Sequence, residues 1–248
     1  MYRRKTAQLV CVAAGVVGAA GWASAATPVS YTATAAPSAN PDGVDQTNTP
    51  VDVWQEVITP GTSGGAGSYS NPTWYPGAWT LYSYNDATGG SIDEYHTFAG
   101  GAISVGQTVS IGIANSAIAT GQHVGFSLID GGSPINFYFV GGDSSGHYRY
   151  DDAGGTDQDT GLGFEYQTPI TVSITLTSAT TYSATAGTAS WSGTYSGAIT
   201  EMDVYNHAAG DGSDLGYDNL TVSAVPEPVS AGLIGVLGVP ALLRRRRR

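Results

Sequence analysis

From Thr108 onward the apolar residues fall at every second position in short runs, and this pattern limits the possible folds more than any other feature. Ile170, Val172, Ile174 and Leu176 alternate with Thr171, Ser173 and Thr175. The same alternation places Val109, Ile111 and Ile113 together, then Val124, Phe126 and Leu128, then Ile135, Phe137 and Phe139. Successive side chains of a strand point to opposite faces, so each run has one face to bury and one to solvate. A buried helix face would need apolar residues three and four apart. Runs of about six to ten residues, about ten apart and separated by Gly-rich turns, predict an all-β fold, an antiparallel β-sandwich or barrel.

Other runs fit the same plan: Val51–Ile58, Ala78–Tyr84, Ile92–Phe98, Tyr148–Asp151, Leu162–Tyr166, Thr181–Ala186, Ala189–Tyr195, Ile199–Tyr205 and Tyr217–Val225. Thr59–Gly77 is crowded with Gly, Ser and Pro and reads as a long loop. The interior is rich in Gly, Ser, Thr and Tyr and poor in Leu, Glu and Lys, which disfavours helices.

The two ends have a different character. Arg3, Arg4 and Lys5, the apolar stretch Leu9–Gly21 and the small residues Ala23 and Ala25 have the order of a secretory signal peptide, which predicts export by the Sec machinery and a mature start at Ala26. At the other end, Val225-Pro226-Glu227-Pro228 is followed by the uncharged run Val229–Leu243 and then Arg244, Arg245, Arg246, Arg247 and Arg248. The two prolines break regular structure. The run after them would span about 22 Å as a helix, a short crossing of a hydrocarbon core roughly 30 Å thick. The arginines form a cytoplasmic stop-transfer signal.

These three parts in this order resemble the PEP-CTERM sorting signal. The resemblance implies recognition by an exosortase, transient holding in the inner membrane, cleavage near Pro226-Glu227-Pro228, and a cell-surface or extracellular destination in an exopolysaccharide or biofilm matrix. The chain then divides into a signal peptide (1–25), a loose lead-in (26–50), a β-sandwich domain (51–224) and the sorting segment (225–248).

Charge follows the same division. The chain has 9 basic and 20 acidic residues. Arg3, Arg4, Lys5 and the five terminal arginines leave only Arg149, and of the acids only Glu227 lies in the tail, so residues 26–224 carry 19 acids against one base, a formal charge of −18. So acidic a surface excludes nucleic acid as a partner. The one cysteine, Cys11, lies within the signal peptide, so the mature chain uses neither disulfides nor thiolates.

The strand order, the Gly-Gly turns and the closing run Tyr217-Asp218-Asn219-Leu220-Thr221-Val222 resemble concanavalin A-like jelly-roll sandwiches. This resemblance implies a fold that often binds carbohydrate. Trp74, Tyr75 and Trp79 beside the long loop, with Tyr148 and Tyr150 flanking Arg149, are the candidate glycan contacts. Asp151, Asp152, Asp157 and Asp159 form a candidate calcium loop by composition, although EF-hand spacing is missing.

Alternation puts Glu201, Asp203 and Tyr205 on one strand face. Jelly-roll β-glucanases place a second glutamate two or three residues after such an aspartate, where this chain has Tyr205 and Asn206. No two of His96, His123, His147 and His207 stand at metal-ligand spacing, and all four read as surface or turn residues. The expectation is a non-catalytic structural or adhesive protein that binds glycan. A polysaccharide hydrolase is the alternative, and it would require two acids facing each other across a groove.

Overall fold

The computed structural model describes residues 29–30, 54–59, 65–70, 72–84, 90–98, 100–129, 131, 134–207 and 213–224. The signal peptide with Ala23 and Ala25, the Val225-Pro226-Glu227-Pro228 motif and the terminal arginines lie outside them. Among the described residues no helix is long and apolar enough to cross a membrane.

The described residues form two antiparallel sheets, as the period-two pattern predicts. One holds β1 (Val29–Ser30), β3 (Gly65–Ser70), β4 (Trp79–Tyr84), β6 (Gln107–Asn115), β11 (Ile170–Leu176), β12 (Thr181–Ala186), β13 (Ala189–Thr194) and β15 (Ser213–Ala224). The other holds β2 (Trp54–Thr59), β5 (Ser91–Thr97), β7 (His123–Ile129), β8 (Ile135–Val140), β9 (His147–Asp152), β10 (Gly155–Gly163) and β14 (Glu201–His207). The eight-stranded sheet runs β13-β12-β11-β6-β15-β4-β3, with β1 also paired to β15. The seven-stranded sheet runs β10-β9-β8-β7-β14-β5-β2.

One face of each sheet closes a single core. Leu81, Ile111, Ile113, Ile174, Leu215 and Tyr217 contribute from one side, and Ile92, Phe126, Leu128, Ile135, Phe137 and Val204 from the other. Each fully buried apolar side chain of this size stabilises the fold by about 1.5–3 kcal/mol. Aromatic stacking fills the end beneath β8 and β9, where Phe137 stacks on Tyr148 at 5.1 Å and on Trp191 at 5.6 Å.

The structure departs from the sequence reading at β3, at β10 and at Leu162–Tyr166, a stretch read as strand in which strand ends at Gly163. β3 lies inside Thr59–Gly77, read as loop. Its Gly-Ala-Gly-Ser-Tyr-Ser sequence has no apolar alternation, and pairing with β4 alone makes it a strand. β10 takes up the Asp/Gly/Thr stretch also read as loop. It is a sheet-edge strand with irregular register against β9, and Leu162 is its one apolar contact with the core.

A bulge sets the phase of β15. Asn219, at φ 50°, is the extra residue between Asp218 and Thr221. It turns Leu220 and Val222 inward where strict alternation from Tyr217 would turn them out.

Acids also lie inside the sandwich. Glu94 is fully buried (0 % exposed), accepts hydrogen bonds from Trp79 Nε1 at 2.8 Å and from the Tyr217 hydroxyl, and has its pKa pushed up to about 8, chiefly by burial. His96, read as a surface residue, is buried against Trp54 at 4.6 Å, and burial lowers its pKa to about 4. It is a neutral core side chain.

Candidate functional site

The outer face of the seven-stranded sheet gathers the chemistry. Strand β14 sits between β5 and β7. Its outward residues Glu201, Asp203, Tyr205 and His207 therefore have neighbours on both sides. Asp203 lies opposite Tyr95 on β5 and Ser127 on β7, and Tyr205 lies opposite Asp93 and Gly125. Gly125 in turn faces Tyr138 on β8, so a residue without a side chain separates two tyrosines. A Cβ at Gly125 would come within 2.1 Å of the Phe137 carbonyl oxygen, so the close approach of β7 and β8 requires glycine.

This face points away from the partner sheet, yet its centre is sheltered. Tyr205 is 4 %, Asp203 8 % and Tyr138 9 % exposed. Outward residues on a one-sided sheet are ordinarily solvated, so here the side chains cover one another.

Hydrogen bonds hold this centre together. The Tyr205 hydroxyl donates to Asn136 Oδ1 at 2.8 Å, which also accepts from Ser127 Oγ at 3.2 Å. The Tyr138 hydroxyl donates to Asp151 Oδ1 at 2.9 Å. Burial raises the pKa of both tyrosines, and both stay neutral phenols.

A histidine pair lines one side. His207 Nε2 lies 2.6 Å from Asp93 Oδ1, and its Nδ1 lies 3.3 Å from His123 Nε2. Burial and the neighbouring His207 lower the His123 pKa, which favours its neutral form. His207 also stacks on Tyr205 at 4.7 Å.

Asp203 is the most perturbed acid here. Burial, then the charges of Asp93, Glu201 and Glu94, push its pKa up to about 8. Its Oδ1 is buried without a hydrogen-bond partner. A carboxyl so placed is protonated at neutral pH and ionises only when something from outside compensates the charge.

The sequence reading put Glu201, Asp203 and Tyr205 on one strand face, as observed. It missed Asp93, His123, His207 and Tyr138, and it took His123 and His207 as surface or turn residues. Only the strand order brings these four into the group.

Most of the aromatic candidates are core instead. Trp79 donates to Glu94, and Tyr148 donates to Asn115 Oδ1 at 2.5 Å, both within the interior. Tyr150 is buried against Trp191 at 5.4 Å. The strand phase of β4 and β9 turns these three rings inward, so they offer no face to a sugar. Tyr75 lies over Gly112 and Gly216 on the outside of the eight-stranded sheet, buried beneath its own loop and bonded to Asp218. Trp74 is partly buried beside it, at 6.2 Å.

The aspartates of the candidate calcium loop do not converge. Asp152 points inward, accepting from the Tyr182 hydroxyl at 2.9 Å and from the Thr194 amide at 3.1 Å. Asp151 faces outward toward Tyr138. Asp157 bonds Arg149 at 3.3 Å, and Asp159 meets His147 at 3.0 Å. Alternation along β9 and the bulged edge strand send them to separate partners. Among the described residues no three His, Cys, Asp or Glu side chains are placed to hold a metal ion. On β15, Asp214 accepts from the Tyr69 hydroxyl at 3.3 Å.

No protein-family model and no curated protein matches this sequence. Solved structures do match in shape. A protein of unknown function from Shewanella oneidensis aligns with a TM-score of 0.46 at 10 % identity, over 80 % of this chain and 87 % of its own. The binding domain of botulinum neurotoxin serotype D aligns with a TM-score of 0.46 at 14 % identity over 77 % of this chain, which spans about half (47 %) of that domain's length. Domain 4 of a GH43 extracellular arabinanase from Geobacillus stearothermophilus, in complex with arabinotriose, aligns with a TM-score of 0.41 at 16 % identity over 68 % of this chain and 82 % of its own.

Proposed function

We propose that this is an exported, non-catalytic carbohydrate-binding protein of the cell surface or exopolysaccharide matrix, and that it binds glycan on the outer face of its seven-stranded sheet. The polar side chains that β5, β14 and β7 gather on that face carry the reading. Tyr205 and Tyr138 flank Gly125 beneath the surface, and around them the half-buried Asp93, Asn136 and Glu201 supply acceptors for sugar hydroxyls. Burying Asp203 without a partner weakens the fold, and groups of that kind cluster at functional sites.

The sandwich is read as a concanavalin A-like jelly roll. The Val225-Pro226-Glu227-Pro228 tail is read as an exosortase sorting signal that delivers the domain through the inner membrane to the outside. A glycan array probed with the protein, with and without calcium, tests binding. A flat response under both conditions defeats the carbohydrate reading. Replacing Pro226, Glu227 and Pro228 with alanine tests sorting: an uncleaved, membrane-held precursor is expected, and unchanged processing rejects the assignment.

A specific observation favours polysaccharide hydrolysis as a second reading. Asp203 holds a proton at neutral pH beside Asp93 and Glu201, an acid next to two further carboxyls. Release of reducing ends from a panel of polysaccharides, lost in both Asp203→Asn and Glu201→Gln, would establish it. No release from any substrate removes it.

A further inference from the structure

We infer that His123 Nε2 and His207 Nδ1 form a two-imidazole site for a divalent transition ion of the zinc class, with Asp93 positioning one of the two rings. The site is independent of glycan binding and takes no acid of that face as a ligand.

Strand pairing sets the two rings side by side. His123 opens β7, His207 closes β14, and the two lie directly opposite one another. Residues so paired have Cβ atoms about 4.5–5.5 Å apart, so the backbone fixes the pair. Tyr205 braces both rings: His207 stacks on it at 4.7 Å, and His123 meets it edge-on at 5.7 Å. The His207 side chain is 34 % exposed, so an ion can reach it from solvent.

The facing nitrogens have the spacing of ligands. They lie 3.3 Å apart, on rings inclined at 78°. That separation is long for a hydrogen bond. Zinc sits about 2.0–2.1 Å from an imidazole nitrogen, and two such nitrogens at a tetrahedral angle stand about 3.3–3.4 Å apart.

The other nitrogen of His207 is already committed. Its Nε2 lies 2.6 Å from Asp93 Oδ1. A neutral imidazole carries one N–H, which the carboxylate draws to Nε2, so Nδ1 keeps its lone pair toward His123. Histidines that bind metal characteristically donate their far N–H to a carboxylate in this way, which fixes the tautomer and raises the basicity of the ligating nitrogen.

The donor set selects the ion. Imidazole nitrogens suit zinc, nickel and copper, whereas calcium and magnesium take oxygen. Among the described residues no third His, Cys, Asp or Glu completes the group, so water fills the remaining positions. With two protein ligands in place of the four of a structural zinc site, the ion exchanges with the medium. On binding, the hydrogen that His123 Nε2 shares with His207 passes through solvent to His123 Nδ1, and the ring stays neutral.

Zinc titration of the protein by calorimetry, with nitrogen NMR of the histidine rings, tests this. Zinc is expected to bind and to shift His123 Nε2 and His207 Nδ1, while His207 Nε2 keeps its hydrogen. Calcium should shift neither. His123→Ala and His207→Ala should each weaken zinc binding at least tenfold, and His123→Gln, which keeps a polar side chain on the strand, should do the same in a protein of parental melting temperature. Asp93→Asn should weaken it about tenfold to a hundredfold and, before zinc is added, should spread the hydrogen over both nitrogens of His207. Asp93→Glu should recover part of both. His147→Ala, at the exposed pair with Asp159, should change nothing. Absence of zinc binding overturns the site. So does binding that leaves His123 Nε2 and His207 Nδ1 unshifted, that survives the His123 and His207 variants, or that falls equally in His147→Ala. Unchanged affinity and tautomer in Asp93→Asn overturn the positioning role of Asp93.

Discussion

The outer faces of the two sheets meet the same architectural demand with opposite chemistry. Across β6, β11 and β12 the outer face of the eight-stranded sheet is a field of hydroxyls: Thr108 pairs with Thr175 at 2.7 Å, Ser110 with Ser173 at 2.8 Å, and Ser183 and Thr185 continue the rows. These residues favour strands, satisfy one another and carry no charge. The outer face of the seven-stranded sheet instead crowds acids, histidines and phenols into a sheltered centre. One face is built to be solvated. The other retains groups that weaken the fold, and that asymmetry is the physical basis for placing the function there.

Truncation should separate the faces most. Tyr205→Ala removes a buried ring beside Gly125 and is expected to cost about 3–5 kcal/mol and abolish glycan binding. Tyr82→Ala, on a half-buried ring of the other sheet, should cost less than half as much and leave binding intact. Denaturant unfolding with parallel binding measurements checks both. Equal costs would mean that the outer face of the seven-stranded sheet has no special packing.

Stability should respond to pH most through the outer face of the seven-stranded sheet and the core beneath it. Glu94 and Asp203 rise on folding from 4.5 and 3.8 to about 8 each. The folded state therefore holds protons that the unfolded chain releases. Their contribution is whole below about pH 4 and declines up to about pH 8, at a limiting slope of about 1.4 kcal/mol per pH unit for each group. Melting temperature should fall across that window. Asp203→Asn and Glu94→Gln should each flatten the fall, and Ser173→Ala should leave it unchanged.

The glycines give a finer contrast. Gly125→Ala drives a methyl into the Phe137 carbonyl, backbone that cannot yield, and should cost about 2–3 kcal/mol. Gly112→Ala meets only the Asp218 and Tyr75 side chains, which can move, and should cost about 1 kcal/mol. Smallest of all, Ser173→Ala should stay within about 0.5 kcal/mol of the parent. A larger loss there would show that the hydroxyl rows contribute more than solvation.

Much of the fold was legible because burial on one face writes itself into the sequence at period two. β11 and β6 were read within a residue or two from Ile, Val and Leu alone. β3 and β10 were invisible because a strand with little to bury has no apolar phase to detect. The site was half legible for a related reason. Alternation groups Glu201, Asp203 and Tyr205 on one strand, but Asp93 and His123 join them only through the order β7-β14-β5, which local pattern does not encode. The aromatic candidates failed on phase: Trp79 and Tyr148 lie on the inward beat of β4 and β9.

The last described strand, β15, lies not at a sheet edge but between β6 and β4, and it pairs with β1 as well. The centre of the eight-stranded sheet therefore stays open until residues 213–224 have been made. A chain still emerging from a ribosome or threading a pore can form hairpins such as β11–β12 and β7–β8, but it cannot close the sandwich. Folding by such late, long-range pairing is slow. The fold thus carries its own delay, completing only once residues 213–224 come free.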